Sequence, residues 1–397
     1  MTLSDLSLIF GILPFTAIGT ATLSFKNVGL FKKQLIKHLA FLSFLIAVLA
    51  FYSPANAAQK AHTNSNVHIY FIAADEVPWD YAPGGRNLAG IPQAESEQST
   101  LTIYKKAIYR EYTDATFSTL KPRPRDWEHL GILGPLLRAE VGDTIKVIFK
   151  NNTKIFCSMH PHGLLYDKSS EGAAYNDGLL ANQKKGDKVA PGQTYTYTWY
   201  VPERAGPGTM DGSSILWVYH SHFKERRDMN TGLMGPIIVT AKGASKIDGS
   251  PKDVDREFVV AFAIFDETKS WYFDVNRQGR RQFQPPMSVT DPAFREQYLL
   301  YTINGFTGGN LPGLTMKKGE RVRWYLFAND NEDDVHTPHW HGQTVLAQHM
   351  RMDMVSLAPM TMMVADMVPD NLGTWLFHCH VNEHLEEGMV ALFKVIP

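Results

Sequence analysis

The chain has 397 residues, 44% of them hydrophobic, with 39 Lys and Arg against 40 Asp and Glu. That length provides ample core for one or two ordinary domains. A formal net charge of −1 offers no basic field to a polyanion, so nucleic acid is excluded as a natural partner.

The first stretch reads as an address. Lys32, Lys33 and Lys37 precede an apolar run over 39–52, and Ala55-Asn56-Ala57 supplies a small-x-small cleavage site. This is the pattern of a secretory signal peptide. Residues 1–57 are therefore expected to be a targeting segment, and the protein to be exported, periplasmic or extracellular. A second apolar stretch, 6–20, lies before the basic region. An assigned start upstream of the true one, near Val28, accounts for it. A membrane anchor through 6–20 is the rival reading, but the run is short of the ~20 apolar residues a spanning helix needs.

From about His68 the chain reads as β. Over 143–150, Ile145, Val147 and Phe149 alternate onto one face, and 194–201 and 321–327 are rich in β-branched and aromatic residues. Pro191-Gly192 and Gly206-Pro207-Gly208 punctuate, and no long helical period occurs. Short strands between turns predict β-sandwiches. Cys157, three residues before His160 in an apolar stretch taken as a strand, is expected to be a buried small hydrophobe rather than half of a disulfide.

The chain repeats itself. Val141-Gly142-Asp143, His160-Pro161-His162-Gly163, Trp217 with His220-Ser221-His222, and Gly232-Leu233-Met234 appear in that order. Lys318-Gly319-Glu320, His339-Trp340-His341-Gly342, Trp375 with His378-Cys379-His380, and Gly388-Met389 follow in the same order. Two copies of one domain are expected, over 58–242 and 256–397, joined by a linker at 243–255 rich in Gly, Ser, Lys and Asp.

The chemistry concentrates near the C-terminus, where His378, Cys379, His380, His384 and Met389 fall within twelve residues. Cys, His and a weak Met are ligand types of a blue-copper site, which needs a second His from elsewhere. On a strand over 375–381, Cys379 points to one face and His378 and His380 to the other. One strand then holds a mononuclear copper inside its sandwich and feeds a second site outside it. Ten of the fifteen histidines fall in four clusters: His160/His162, His220/His222, His336/His339/His341 and His378/His380/His384. Each His-x-His on a strand presents two imidazoles on one face. Eight such imidazoles are too many for one metal and suit three coppers bound by two, three and three His.

On these motifs the sequence over 68–397 resembles the multicopper oxidase family. The wording is closest to its ceruloplasmin-like members at 109–114, 201–206, Phe265-Asp266-Glu267, Ser270-Trp271-Tyr272 and Ile303-Asn304-Gly305. The resemblance implies an all-β chain of two cupredoxin-like Greek-key β-sandwich domains, and oxidation of a substrate coupled to reduction of O2 to water. It implies type 1 copper on His336, Cys379, His384 and Met389, and type 2 copper on His160 and His339. One type 3 copper takes His162, His220 and His380, and the other His222, His341 and His378, giving four coppers per chain. Ser221 stands in place of Cys379, Arg226 in place of His384 and Leu233 near Met389, so the first domain supplies cluster ligands only.

The remaining roles also rest on the resemblance. An acid after the first His-x-His relays protons in the family, and Asp177 fits that place; as a turn residue it has an equally simple account. Leu385 occupies the usual second acid position, leaving Glu383 or Glu386 as donors. Glu296 and Glu383 stand where ceruloplasmin-like ferroxidases hold ferrous ion, and Tyr301 replaces a family His there. Met350, Met352, Met354, Met360, Met362, Met363 and Met367 form a further feature. Thioethers favour Cu(I), and the first three are expected on one strand face, although packing of flexible Met against the core is the plainer account.

The function these features point to is an exported oxidase of Fe(II), Cu(I) or phenols. A copper nitrite reductase carries blue copper in its first domain, which Ser221 argues against. A non-catalytic copper scaffold would not need all ten His with Cys379 and Met389. Six-domain ceruloplasmin-like rings place the cluster where the last domain closes on the first. Three copies of a two-domain chain rebuild such a ring, so a homotrimer with intersubunit clusters is expected.

Overall fold

A computed structural model describes residues 66–92, 102–278, 291–329 and 334–397. The signal-peptide and anchor readings of 1–57 lie outside the described residues. Asn64–Pro397 form one compact unit.

The unit is built mainly of strands. The first half comprises β1 (Val67–Asp80), β2 (Ile103–Tyr112), β3 (Leu137–Glu140), β4 (Thr144–Asn151), β5 (His160–Pro161), β6 (Leu165–Tyr166), β7 (Thr194–Tyr200), β8 (Ser214–His220) and β9 (Met234–Thr240). The second comprises β10 (Arg256–Asp266), β11 (Leu299–Ile303), β12 (Thr315–Lys317), β13 (Val322–Ala328), β14 (Pro338–Trp340), β15 (Val345–Ala347), β16 (Met350–Met352), β17 (Met362–Met367), β18 (Gly373–Cys379) and β19 (Val390–Ile396). Among the described residues the longest helix is Glu225–Thr231.

The repeat read in the sequence is a repeat of topology. One pair of sheets runs β2-β1-β4-β7-β6 and β3-β9-β8-β5; the other runs β11-β10-β13-β17-β15-β16 and β12-β19-β18-β14. β1 lies parallel to β4 and antiparallel to β2, as β10 lies to β13 and β11. The register also repeats at the chemistry: His160 pairs with His220, and His339 with His378.

Side-chain alternation explains the layers. In β4, Ile145, Val147 and Phe149 are fully buried while their neighbours are half-buried, as the period-2 pattern predicts. They join Cys157, Trp199 and Tyr219 in the first sandwich's core. Cys157 is a free, buried thiol, as expected, but it lies outside the strands and makes only an isolated bridge to Val189. The second sandwich packs around Trp324, Trp340 and Phe377, with Cys379 and Met389 in the same core.

A third apolar layer joins the halves. β10 is buried along almost its whole length: Phe258, Val260, Phe262 and Ile264 face the second core, while Val259, Ala261, Ala263 and Phe265 face Leu216, Val218 and Ile238 of the first half. A strand buried on both faces must read as a continuous apolar run, as this one does. Each large side chain so buried contributes roughly 1.5–3 kcal/mol.

Polar contacts fix the alignment. Arg138 grips Glu257 through two bonds of 3.1 and 2.7 Å, and Tyr325 donates to Glu257 at 3.0 Å. The segment Phe265-Asp266-Glu267 to Tyr272 clamps the halves. Glu267 accepts from Lys106 at 2.5 Å and from Tyr81 at 2.7 Å; Trp271 donates to Asp228 at 2.7 Å and Tyr272 to Glu76 at 2.9 Å.

Candidate metal centres

β18 delivers both centres, as alternation requires. It ends at Cys379, two residues before the expected end, yet Cys379 still faces the core while His378 faces the other way. Cys379 Sγ lies 3.5 Å from His384 Nδ1 and 3.9 Å from His336 Nδ1, and the three ligand atoms fall within 4.8 Å of one another. Met389 is fully buried in the same core. Its backbone is tied to both partners: Cys379 N donates to the Met389 carbonyl at 3.1 Å, and Met389 N to the His384 carbonyl at 2.8 Å. Gly388 makes this return possible. Its φ is +100°, and a Cβ there would meet Thr307 Oγ1 at 2.3 Å.

Burial keeps these imidazoles neutral. It pushes His336 down to about 3 and lowers His384, so their lone pairs are available above acid pH. Burial raises the Cys379 thiol, while the Thr337 N–H, 3.3 Å from Sγ, favours the thiolate. Metal binding would expel that proton. Two His, one Cys and a thioether on a rigid frame fit a blue-copper ion.

The other histidines form two quartets. In the first, His162 Nε2 lies 3.0 Å from His220 Nε2, and the His160 ring centre lies 5.1 Å from that of His222. In the second, His341 Nε2 and His339 Nδ1 lie 3.0 and 3.3 Å from His378 Nε2, and the His380 ring centre lies 5.2 Å from that of His339. Burial depresses His162 and His378 to about 4 and lowers His160, His220 and His339. Neutral ring nitrogens that converge must share a proton or a cation. Outer bonds orient them: His160 Nδ1 meets the Glu171 carbonyl at 2.7 Å, and His378 Nδ1 the Cys379 carbonyl at 2.7 Å.

Among the described residues no ring contact joins the two quartets. The type 2 pair and both type 3 sets predicted from sequence each draw on both quartets, so one chain does not bring any of these sets together.

The first sandwich repeats the bonding pattern around Cys379 with other side chains in place. Ser158 N donates to Ser221 Oγ at 3.0 Å where Thr337 N meets Cys379 Sγ, and Ser221 N donates to the Leu233 carbonyl where Cys379 N meets that of Met389. Leu233 N bonds the Asp228 carbonyl as Met389 N bonds that of His384. Asp228 therefore stands at the His384 position. This corrects the sequence assignment to Arg226, which is exposed. The helix here is Glu225–Thr231 rather than the shorter Asn382–Glu386, which shifts the count. Asp228 is fully buried and accepts from Ser221 Oγ at 2.7 Å, so a hydrogen bond joins the two positions that Cys379 and His384 hold in the second half.

The expected acids fall differently. Asp177 pairs with Lys184 at 2.9 Å and Lys168 at 3.2 Å, and these lysines hold its carboxyl well below the usual range. Among the described residues Asp177 makes no hydrogen bond or ion pair with a histidine. Glu296 accepts from Tyr301 at 3.2 Å, and the Tyr301 ring lies 5.4 Å from that of His384. Burial first, then Glu296 and Glu383, keep the Tyr301 hydroxyl protonated. Glu383 is exposed on the helix Asn382–Glu386. Sequence reasoning missed three other acids. Glu225 lies 3.4 Å from His222, Asp353 3.6 Å from His339 and Asp334 3.9 Å from His384. Only Glu225, three residues after His222, carried a spacing signal.

A His2Cys centre with a buried Met, on the strand that also feeds a polyhistidine group, defines a cupredoxin-type metalloprotein. Two family models described as multicopper oxidase match residues 130–244 and 275–397. The chain is 41% identical over 341 residues to "Ferroxidase HEPHL1" of Mus musculus, covering 82% of this chain and 29% of that protein. It is 39% identical over 359 residues to hephaestin of Homo sapiens (86% and 30%) and 38% over 338 residues to human ceruloplasmin (82% and 31%). The chain thus spans less than a third of the length of these relatives. Among solved structures, the multicopper oxidase mgLAC superposes with a TM-score of 0.55 at 20% identity, over 83% of this chain and 87% of that one. A blue copper oxidase from Nitrosomonas europaea gives 0.53 at 19%, over 84% and 86%. At that identity these two speak for the fold. The chain belongs to the multicopper oxidase family, with ceruloplasmin-like sequence features, and the family implies copper.

Proposed function

We propose that the protein is an exported oxidase that takes single electrons from a reducing substrate, Fe(II) by preference over Cu(I) or phenols, and passes them to O2. The observation that carries this reading is β18, where Cys379 faces the His336–His384 pair and His378, its neighbour in sequence, faces His339 and His341. In this assignment His336, Cys379, His384 and Met389 hold type 1 copper, and His160 with His339 type 2. His162, His220 and His380, and His222, His341 and His378, hold the type 3 pair. Copper at these donors would supply one-electron transfer and dioxygen reduction to water. The peptide between Cys379 and His378 is a short covalent path between the two centres.

The chain's own groups do the rest. Buried walls around Cys379 exclude water. Carbonyls of Glu171 and Cys379 hold His160 and His378 in one tautomer. Glu296 and Glu383 beside the His384 edge suit a hard divalent ion. Glu383 and Asp177 are the proposed proton groups. Asp177 can act only if a neighbouring chain or a loop movement releases it from its lysines.

Two separate quartets support a shared cluster, in which His160, His162, His220 and His222 of one chain face His339, His341, His378 and His380 of the next. Three chains closing head to tail would form three equivalent joins. The test is the absorption of copper-loaded protein with its O2 uptake on Fe(II). An intense blue band plus a near-ultraviolet shoulder, with O2 consumed, is expected. Blue colour without the shoulder or O2 uptake would leave only an electron carrier.

A further inference from the structure

The methionine-rich segment is divided. Met352 packs against the second core and Met367 is buried within it, while Met350 and Met354 are exposed. The first three methionines do not share one strand face as expected, because β16 stops at Met352. The outer edge of His384 offers a clearer selectivity element, Tyr301. This residue lies in β11 opposite Ile264 of β10 and is 4% exposed. By strand alternation Leu299, Tyr301 and Ile303 face the second core, while Leu300 faces the layer between the halves. A side chain packed into a core keeps to one rotamer, so the Tyr301 hydroxyl is a fixed point.

Tyr301 touches a ligand on one side and an acid on the other. Its ring lies 5.4 Å from that of His384, tilted by 45°. Its hydroxyl donates to Glu296 Oε1 at 3.2 Å. Glu296 ends the helix Pro292–Glu296 and is exposed, as is Glu383 on the helix Asn382–Glu386. Ordering an exposed glutamate around a cation costs side-chain entropy. The tyrosine removes part of that cost in advance by holding one carboxylate oxygen, and the second oxygen can take the cation. Burial, with Glu296 and Glu383 nearby, keeps the phenol protonated, so it serves Glu296 as a hydrogen-bond donor.

We propose that Tyr301 is a positioning residue that determines selectivity: its hydroxyl fixes Glu296 beside the His384 edge, so that an arriving cation meets oxygen donors and Fe(II) is favoured over Cu(I). Carboxylate oxygens suit hard divalent ions, whereas imidazole and sulfur suit copper. The role deepens the oxidase reading and rests on it for what becomes of the electron, but capture of the cation can be read without turnover.

Mn(II), a hard divalent ion, is the probe. Copper-loaded protein is dialysed against Mn(II) and its bound Mn(II) counted, with O2 uptake on Fe(II) measured beside it. The parent should hold Mn(II) that Glu296→Gln loses. Tyr301→Phe, which keeps a ring against His384, should weaken that binding roughly two- to tenfold, the effect of having to order one long side chain. Tyr301→His should let less Zn(II) displace the Mn(II), because an imidazole then joins the carboxylates. On Fe(II), Tyr301→Phe should act on KM more than on kcat. Equal Mn(II) binding by the parent and Tyr301→Phe, Mn(II) binding indifferent to Glu296→Gln, or unchanged displacement by Zn(II) in Tyr301→His would each overturn the proposal. Absence of O2 uptake with the Mn(II) results as expected would remove the oxidase reading and leave the positioning role standing.

Discussion

The carbonyl oxygen of Cys379 lies 2.7 Å from Nδ1 of His378, the residue before it. The same Cys379 sends its sulfur the other way, to 3.5 Å from His384. One strand residue thus orients a ligand of the polyhistidine centre and donates to the mononuclear one. Its sulfur is the group whose removal is most informative.

Cys379→Ser should abolish blue absorption and O2 uptake while the fold persists. The change swaps a buried sulfur for a hydroxyl, costing on the order of 1–3 kcal/mol if the hydroxyl stays unpaired. Visible absorption of the copper-loaded variant decides it, and persistence of the blue band means another ligand is present.

Acid should destabilise the metal-free protein through its buried imidazoles. His336 is pushed down to about 3, and His162 and His378 to about 4. The unfolded chain takes up these protons near pH 6.5 and the folded chain only near 3–4. The unfolded state therefore binds more protons between these values, and stability falls as pH drops through that window. Urea midpoints of chelated protein should be level above pH 7 and decline from about 6.5 toward 4. A flat profile between 7 and 5 would contradict neutral burial.

Glu267→Gln removes the partner of fully buried Lys106. Burial already lowers Lys106 and raises Glu267, so the two persist by neutralising each other. Leaving a buried cation uncompensated costs roughly 3–5 kcal/mol. Denaturant unfolding should show that loss, and a change under 1 kcal/mol would mean that water or another group takes over.

Glu296→Ala with Glu383→Ala should raise KM for Fe(II) several-fold and leave a bulky phenol nearly unaffected. The two acids and Tyr301 crowd the His384 side of the His336–Cys379–His384 group. Equal losses on both substrates would assign them to protons or structure.

Much of this site was legible because strand alternation is a strict rule. The opposite facing of Cys379 and His378, and the burial of Ile145, Val147 and Phe149, follow from period 2 alone. What alternation cannot convey is a helix length. Asp228 was missed at the His384 position because the longer helix Glu225–Thr231 breaks a residue count that only backbone bonding restores. Nor does one sequence show that Val259 and Phe265 face a different core from Val260 and Phe262. Asp334 and Asp353 reach their histidines only through folding, and Asp353, though close in sequence, lies in the bend just after β16.

The proposed joining of two half-clusters from different chains into one centre is tested most directly by complementation. A His162→Ala, His220→Ala variant lacks two rings of the first quartet, and Cys379→Ser lacks the thiolate of the mononuclear group. Each should be inactive alone. Co-assembled as random head-to-tail trimers, about a quarter of joins would pair an intact first quartet with an intact second half, restoring about a quarter of the parent O2 uptake. Activity no greater than that of the two variants assayed apart, in particles shown by light scattering to be mixed trimers, would contradict the shared centre.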